Sequence, residues 1–223
     1  MKLSPRTSTS LTLGLLFTGL LGGLVGCGGV STTISGSTPT PSPTVSMDRQ
    51  AGGVCAQGGY CDVGDIGPGG GTVFYVPGSE QDGGEYLEAA LPGWSGESGD
   101  PEAVWCNQKQ VTLAGQKTEH HIGSGLANTQ VIVAACLSDP RGAAKLADDY
   151  VGGGKTDWFL PSIDELNKLR QNKDAVGCVD RSYWSSSQQD GYGAISMDFR
   201  DGRWYNFVNF ETGVHVRPVR AFY

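Results

Sequence analysis

The dipeptide Asp201-Gly202 constrains this chain most, because Gly accepts the positive φ that a two-residue hairpin turn requires. With those two residues at the turn, Arg200 pairs with Arg203, Asp198 with Tyr205, and Ser196 with Phe207. Directly opposite residues share a face of the sheet. One face then carries Ile195, Met197, Phe199, Trp204, Asn206 and Val208; it is mostly apolar and is expected to cover the core. The other carries Ser196, Asp198, Arg200, Arg203, Tyr205, Phe207 and Asn209. Charged, amide and aromatic groups mix on it, which suits a contact surface; the plain alternative is an ordinary solvated face. Tyr205 and Phe207 favour contact, since aromatic groups beside Arg are enriched in binding hot spots.

Upstream, Asp65-Ile66-Gly67-Pro68-Gly69-Gly70-Gly71 reads as a turn and residues 72–76 as a strand. Residues 86–90 are a second short strand, and 91–123 are mostly loop. Helical spacing runs over 124–137 through Leu126, Val131, Val133 and Ala134, and a second helix over 142–150. A third opens at Leu160-Pro161-Ser162-Ile163-Asp164-Glu165-Leu166. There Ser162 can cap the free amides while Glu165 reaches back to it, leaving Leu166 and Leu169 to face the core. Strands, then helices, then strands imply an α+β domain, with two to three helices beside an antiparallel sheet.

The front of the chain has a different character. Residues 1–27 read as an export signal: Lys2 and Arg6 open it, an uncharged apolar stretch occupies 11–25, and Leu24-Val25-Gly26-Cys27 closes it. That close resembles the bacterial lipoprotein box, which implies cleavage before Cys27 and acylation of that residue. The alternative is an uncleaved membrane anchor, for which the apolar stretch is short. Residues 28–53 are rich in Ser, Thr, Pro and Gly, with Thr-Pro-Thr-Pro-Ser-Pro-Thr at 38–44. They lack the apolar side chains that offset ordering entropy, so they read as a disordered spacer that its prolines stiffen. The expected plan is a signal at 1–27, a linker at 28–53 and one folded domain at 54–223, held at the outside of a bacterial cell envelope.

The chain holds 16 Lys and Arg against 23 Asp and Glu. Removing 1–27 takes away two bases and no acid, leaving 14 against 23, or −9. An acidic chain without a basic run excludes nucleic acid as the expected partner. In an exported domain the cysteines are disulfide candidates. Cys55 and Cys61 suit a small local loop, while Cys106 and Cys136 suit a longer bridge tying a loop to a helix. That pairing leaves Cys178 single, and spacing alone does not fix connectivity. No Cys-x-x-Cys pair occurs and His120-His121 lacks ligand spacing, so no metal and no cofactor is expected.

Catalytic patterns fail on inspection. Gly152-Gly153-Gly154-Lys155-Thr156 ends like a phosphate loop, but Asp149 stands where the first Gly belongs and no helix follows. Ser185-Ser186-Ser187 lacks a Gly-x-Ser-x-Gly setting, and nothing in the sequence brings His120, His121 or His215 to it. The expectation is a binding protein and not an enzyme; the enzyme alternative would need a reactive thiol such as Cys178.

Trp158-Phe159-Leu160-Pro161-Ser162-x-Asp164-Glu165-Leu166, Tyr183-Trp184-Ser185-Ser186-Ser187 and Val216-Arg217-Pro218-Val219-Arg220 together resemble the DUF1566 (Lcl C-terminal domain) family across about 67–222. Within it, Gly67-Pro68-Gly69-Gly70-Gly71, Trp105-Cys106-Asn107, Gly125-x-Ala127-Asn128-Thr129 and 216–222 are similar to variable proteins of diversity-generating retroelements. The resemblance implies a C-type-lectin-like fold with a fixed frame at Trp184, Ser185, Ser186, Phe199, Gly202, Arg217 and Arg220. It also implies a diversified ligand surface between 188 and 215. Combined with the strand pairing, it points to Asp190, Tyr192, Ser196, Asp198, Arg200, Arg203, Tyr205, Asn206 and Asn209 as ligand-binding residues, Asn206 for its polar character despite its inner-face position. The partner would be a protein or glycan outside the cell. The alternative is a fixed-specificity adhesin for glycans or sulfated polysaccharides. The calcium-dependent sugar motifs Glu-Pro-Asn, Gln-Pro-Asp and Trp-Asn-Asp are absent.

Overall fold

The computed structural model describes residues 55–78, 84–106, 113, 117–136, 141–178, 180–190, 193–208 and 213–223. Cys27, the 28–53 spacer, Tyr192 and Asn209 lie outside them, as do the side chains of Asp190, Phe207 and Val208. A short 3-10 turn at Cys55–Gln57 leads to β1 (Thr72–Tyr75), β2 (Tyr86–Ala89) and the two-residue β3 (Glu102–Ala103). Then come α1 (Gly125–Ala135), α2 (Ala143–Asp148), α3 (Ile163–Gln171) and α4 (Lys173–Val176). The chain closes with β4 (Ser182–Asp190), β5 (Gly193–Asp198), β6 (Trp204–Val208), β7 (Val214–His215) and β8 (Val219–Phe222).

The strands form two sheets, ordered β1-β2-β8 and β3-β7-β4-β5-β6. Among the described strands every pairing is antiparallel except the parallel contact of β4 with β7, and an isolated parallel bridge joins Val104 to Gly142. The domain is α+β, as the order of elements implied. One core cluster joins Trp105, Ile132, Leu160, Trp184 and Val216 beside the Cys106–Cys136 disulfide. A second places Leu166 and Leu169 of α3 between Phe74 and Leu87 of the first sheet and Ile195, Met197 and Phe199 of the second. A third gathers Cys55, Cys61, Val73 and Phe222 around the Cys55–Cys61 disulfide. Both expected disulfides are present, and Cys178 is a buried free thiol.

The α3 cap forms as its sequence dictates. The Glu165 amide donates to Ser162 Oγ at 3.3 Å, and the Ser162 amide donates to Glu165 Oε2 at 2.7 Å. By contrast α1 buries Asn128 and Thr129 alongside Gly125 and Ile132, and Leu126 of the expected apolar set is 39% exposed. The inward polar groups serve backbone that the strands leave unpaired. Asn128 accepts from the Glu119 amide and donates to the Glu119 carbonyl, at 2.8 and 2.7 Å, and Thr129 Oγ1 accepts from the Leu160 amide at 3.0 Å. Buried polar groups persist when so paired.

Two buried arginines fix the C-terminal segment. Arg217 grips Asp100 with two bonds of 2.7 Å and donates to the Ala90 and Val176 carbonyls. Tyr183 donates to the same Asp100 at 2.8 Å. Arg220 donates to Glu88 at 2.9 Å and to Asp157 at 2.5 Å. The Glu88 carboxylate, fully buried, also accepts from the Gly69 and Gly71 amides. This explains the glycine-rich turn at 67–71: it wraps a carboxylate. Gly153 packs back to back with it, where a Cβ would stand 2.5 Å from the Gly69 carbonyl. The phosphate-loop look of 152–156 is thus the complement of another glycine turn.

Candidate functional site

The tail hairpin forms, but two residues out of the expected register. Ser196 pairs with Tyr205 and Met197 with Trp204, and the Asp198 amide donates to the Arg203 carbonyl at 2.8 Å. The connection therefore spans 199–202 instead of Asp201-Gly202 alone. Two contacts account for the longer loop. Phe199 is drawn fully into the core, its ring 4.4 Å from that of Tyr183. Asp198 accepts the Arg200 amide at 2.9 Å, which folds the chain back before Gly202, at φ 78°, completes the turn.

A shift of two residues preserves which side chains share a face, because strand side chains alternate with period two. Burial, however, departs from expectation. Ser196 is fully buried and its Oγ has no hydrogen-bond partner among the described residues, and Asp198 is only 3% exposed, so both belong to the interior of β5. Trp204, expected over the core, is 53% exposed. Asn206, also on that face, is exposed and lies over Gly193. The cause is position in the sheet: β5 is covered on both faces, whereas β6 is the outermost strand and open on both. The run Arg203-Trp204-Tyr205-Asn206 lacks polar–apolar alternation, and that was the available signal for a doubly exposed edge.

Arg203, Trp204, Tyr205 and Asn206 are thus exposed along the outer edge, Arg203 and Tyr205 on one side of the strand and Trp204 and Asn206 on the other, with Arg200 exposed in the adjoining turn. Arg200 lies along Asp198, Nε at 3.0 Å from both carboxylate oxygens. Those hydrogen bonds from Arg200 hold the Asp198 carboxyl below its ordinary range. Arg203 stands 3.6 Å from Asp201 and is the more exposed of the two cations. Each guanidinium is therefore steered by a neighbouring carboxylate while its outer edge stays in water. Fixed cations beside a Trp and a Tyr can take hydrogen-bond acceptors and stack planar or apolar groups.

The frame residues are engaged in structure. Ser185 donates to the Ile195 carbonyl at 2.7 Å and Ser187 to the Glu119 carbonyl at 2.8 Å, while Ser186 Oγ accepts from Asn128. Among the described residues none of the three hydroxyls bonds to a histidine. His120 Nε2 sits 3.1 Å from the Gln188 carbonyl, and His215 packs on the Tyr183 ring. Burial pushes the Cys178 thiol up to about 12, which keeps it protonated and a poor nucleophile at neutral pH.

A second concave region lies apart from the hairpin residues. It is a cleft of about 670 Å³ whose lining includes Pro68, Leu126, Lys155, Asp157, Phe159, Arg220 and Tyr223. Sequence reasoning missed it, because its residues come from six separated stretches of chain. No family model and no curated protein matches this chain.

Proposed function

We propose that this protein is a lipid-anchored, surface-displayed ligand-binding protein of C-type-lectin-like architecture, with its recognition surface on the C-terminal hairpin. The observation that carries the reading is the contrast within one sheet. Arg203, Trp204, Tyr205 and Asn206 are consecutive and exposed on an edge strand whose neighbour is buried on both faces. Trp, Tyr and Arg are the residue types that dominate binding energy at interfaces. The lipoprotein-like box at Cys27 and the proline-rich spacer add a means of presenting such a surface away from a membrane.

The resemblance to retroelement variable proteins supports diversification of this rim, and burial narrows where it can act. Arg203, Tyr205 and Asn206 can change without disturbing the core, with Trp204 added to them, whereas a change at Arg200 leaves the buried Asp198 carboxylate without its partner. Ser196 and Asp198 are buried and tolerate fewer side chains. The test is the DNA beside the coding sequence. A near-copy of the tail's coding segment, differing mainly at adenines and next to a reverse transcriptase gene, is the expected finding. Its absence, with an invariant tail among sister isolates, would overturn diversification and leave the fixed-specificity adhesin.

A further inference from the structure

We infer a second binding site, for an uncharged saccharide ring, in the cleft between the glycine-rich turn, the start of α1 and strand β8. It is independent of the hairpin surface. Its volume of about 670 Å³ falls within the ~300–1,000 Å³ usual for small-ligand sites. The charged side chains lining it are Glu85, Lys155, Asp157 and Arg220, two acids and two bases. A ligand with net charge of either sign would meet a like charge; a neutral ligand rich in hydroxyls would find donors and acceptors side by side.

The polar groups are held in place before any ligand arrives. Arg220 spends Nε on Asp157 and Nη1 on buried Glu88, which leaves Nη2 as the guanidinium nitrogen that no described residue engages. Asp157 is half-exposed: partial burial raises its pKa, but the Arg220 hydrogen bond and charge outweigh this and keep the carboxyl below its ordinary range. It is thus an ionised acceptor beside a fixed donor, a spacing that suits adjacent hydroxyls on a ring. Tyr223 is 77% exposed at the rim, with the Glu85 carboxylate nearby. An aromatic face can pack the C–H face of a pyranose. Leu126, exposed on α1, and Phe159 supply the apolar wall.

The experiment is an amide-resolved NMR titration of the full chain with glucose, galactose, mannose and N-acetylglucosamine, and in parallel with glucuronate and benzoate. The expected result is saturable shifts in 155–159 and 220–223 with at least one neutral sugar. That binding should weaken roughly ten-fold or more, about 1.4 kcal/mol, in Tyr223→Ala and Leu126→Trp at unchanged melting temperature. It should persist in the Arg203→Ala/Tyr205→Ala variant. Saturation by none of the neutral sugars, preference for glucuronate or benzoate, or full affinity in Leu126→Trp would each overturn the assignment.

Discussion

Arginine–carboxylate pairs occur in two places in this molecule and have opposite consequences. Arg217–Asp100 is almost wholly shielded from water, each side chain 1% exposed, and Arg220 is nearly as deep against Glu88. Arg200–Asp198 and Arg203–Asp201 sit on the hairpin with 68% and 77% of their arginine side chains in solvent. A buried pair cannot lose one partner without stranding a charge, whereas an exposed pair is worth little. The same chemistry therefore fixes the chain at 217–220 and leaves it free to vary at Arg203–Asp201, with Arg200 in between because its partner Asp198 is only 4% exposed.

Replacing Arg217 by Ala should be the most damaging change. It strands Asp100 and frees the Ala90, Val176 and Gly177 carbonyls, at a cost of ~3–5 kcal/mol in chemical denaturation. A loss no larger than that of a hairpin arginine would erase the distinction drawn above. Next, removing the Cys106–Cys136 bridge as a double Ala variant should cost ~2–4 kcal/mol, because the bond closes a separation of 30 residues. Ser162→Ala should cost ~1 kcal/mol by opening the α3 capping box, read as a lower urea midpoint with an unchanged slope.

Smaller still is a pH effect at the hairpin. Asp198 has a depressed folded pKa, so its stabilisation is present above the unfolded value of ~3.9 and is lost as pH falls through the folded value. Arg200→Ala should lower neutral-pH stability modestly and flatten that acid limb, the two melting curves converging as pH falls through the folded value. Last, Arg203→Ala with Tyr205→Ala should shift stability by no more than ~0.5 kcal/mol while abolishing capture of whatever ligand the wild type binds. Intact binding would move the recognition surface elsewhere.

Local signals in the sequence were read well and long-range ones were not. The Ser162–Glu165 cap was legible because both partners sit within one turn. The two faces of the hairpin were legible because alternation survives any even shift in register. The shift itself was not, since it depends on Phe199 finding Tyr183 and the second core cluster. Likewise the inward face of α1 went to Asn128 and Thr129 because Glu119 and Leu160 bring unpaired backbone to it, which helical periodicity cannot express. Trp204 was misplaced for a related reason: parity says which residues share a side, but only the strand order says whether that side is covered. The cleft drew on the same kind of assembly, with Leu126, Lys155 and Arg220 far apart in the chain.

The third core cluster has a mechanical meaning. Cys55 and Cys61 lock the first described turn against Val73 of β1 and Phe222 of β8. Tension arriving along the chain ahead of Cys55 would meet that covalent ring first and then spread into the β1-β2-β8 sheet. Strand β6 belongs to the other sheet, so the chain entering at Cys55 and the exposed hairpin are held by different ladders. A force applied at the hairpin must cross the core between the two sheets before it reaches the Cys55–Cys61 ring.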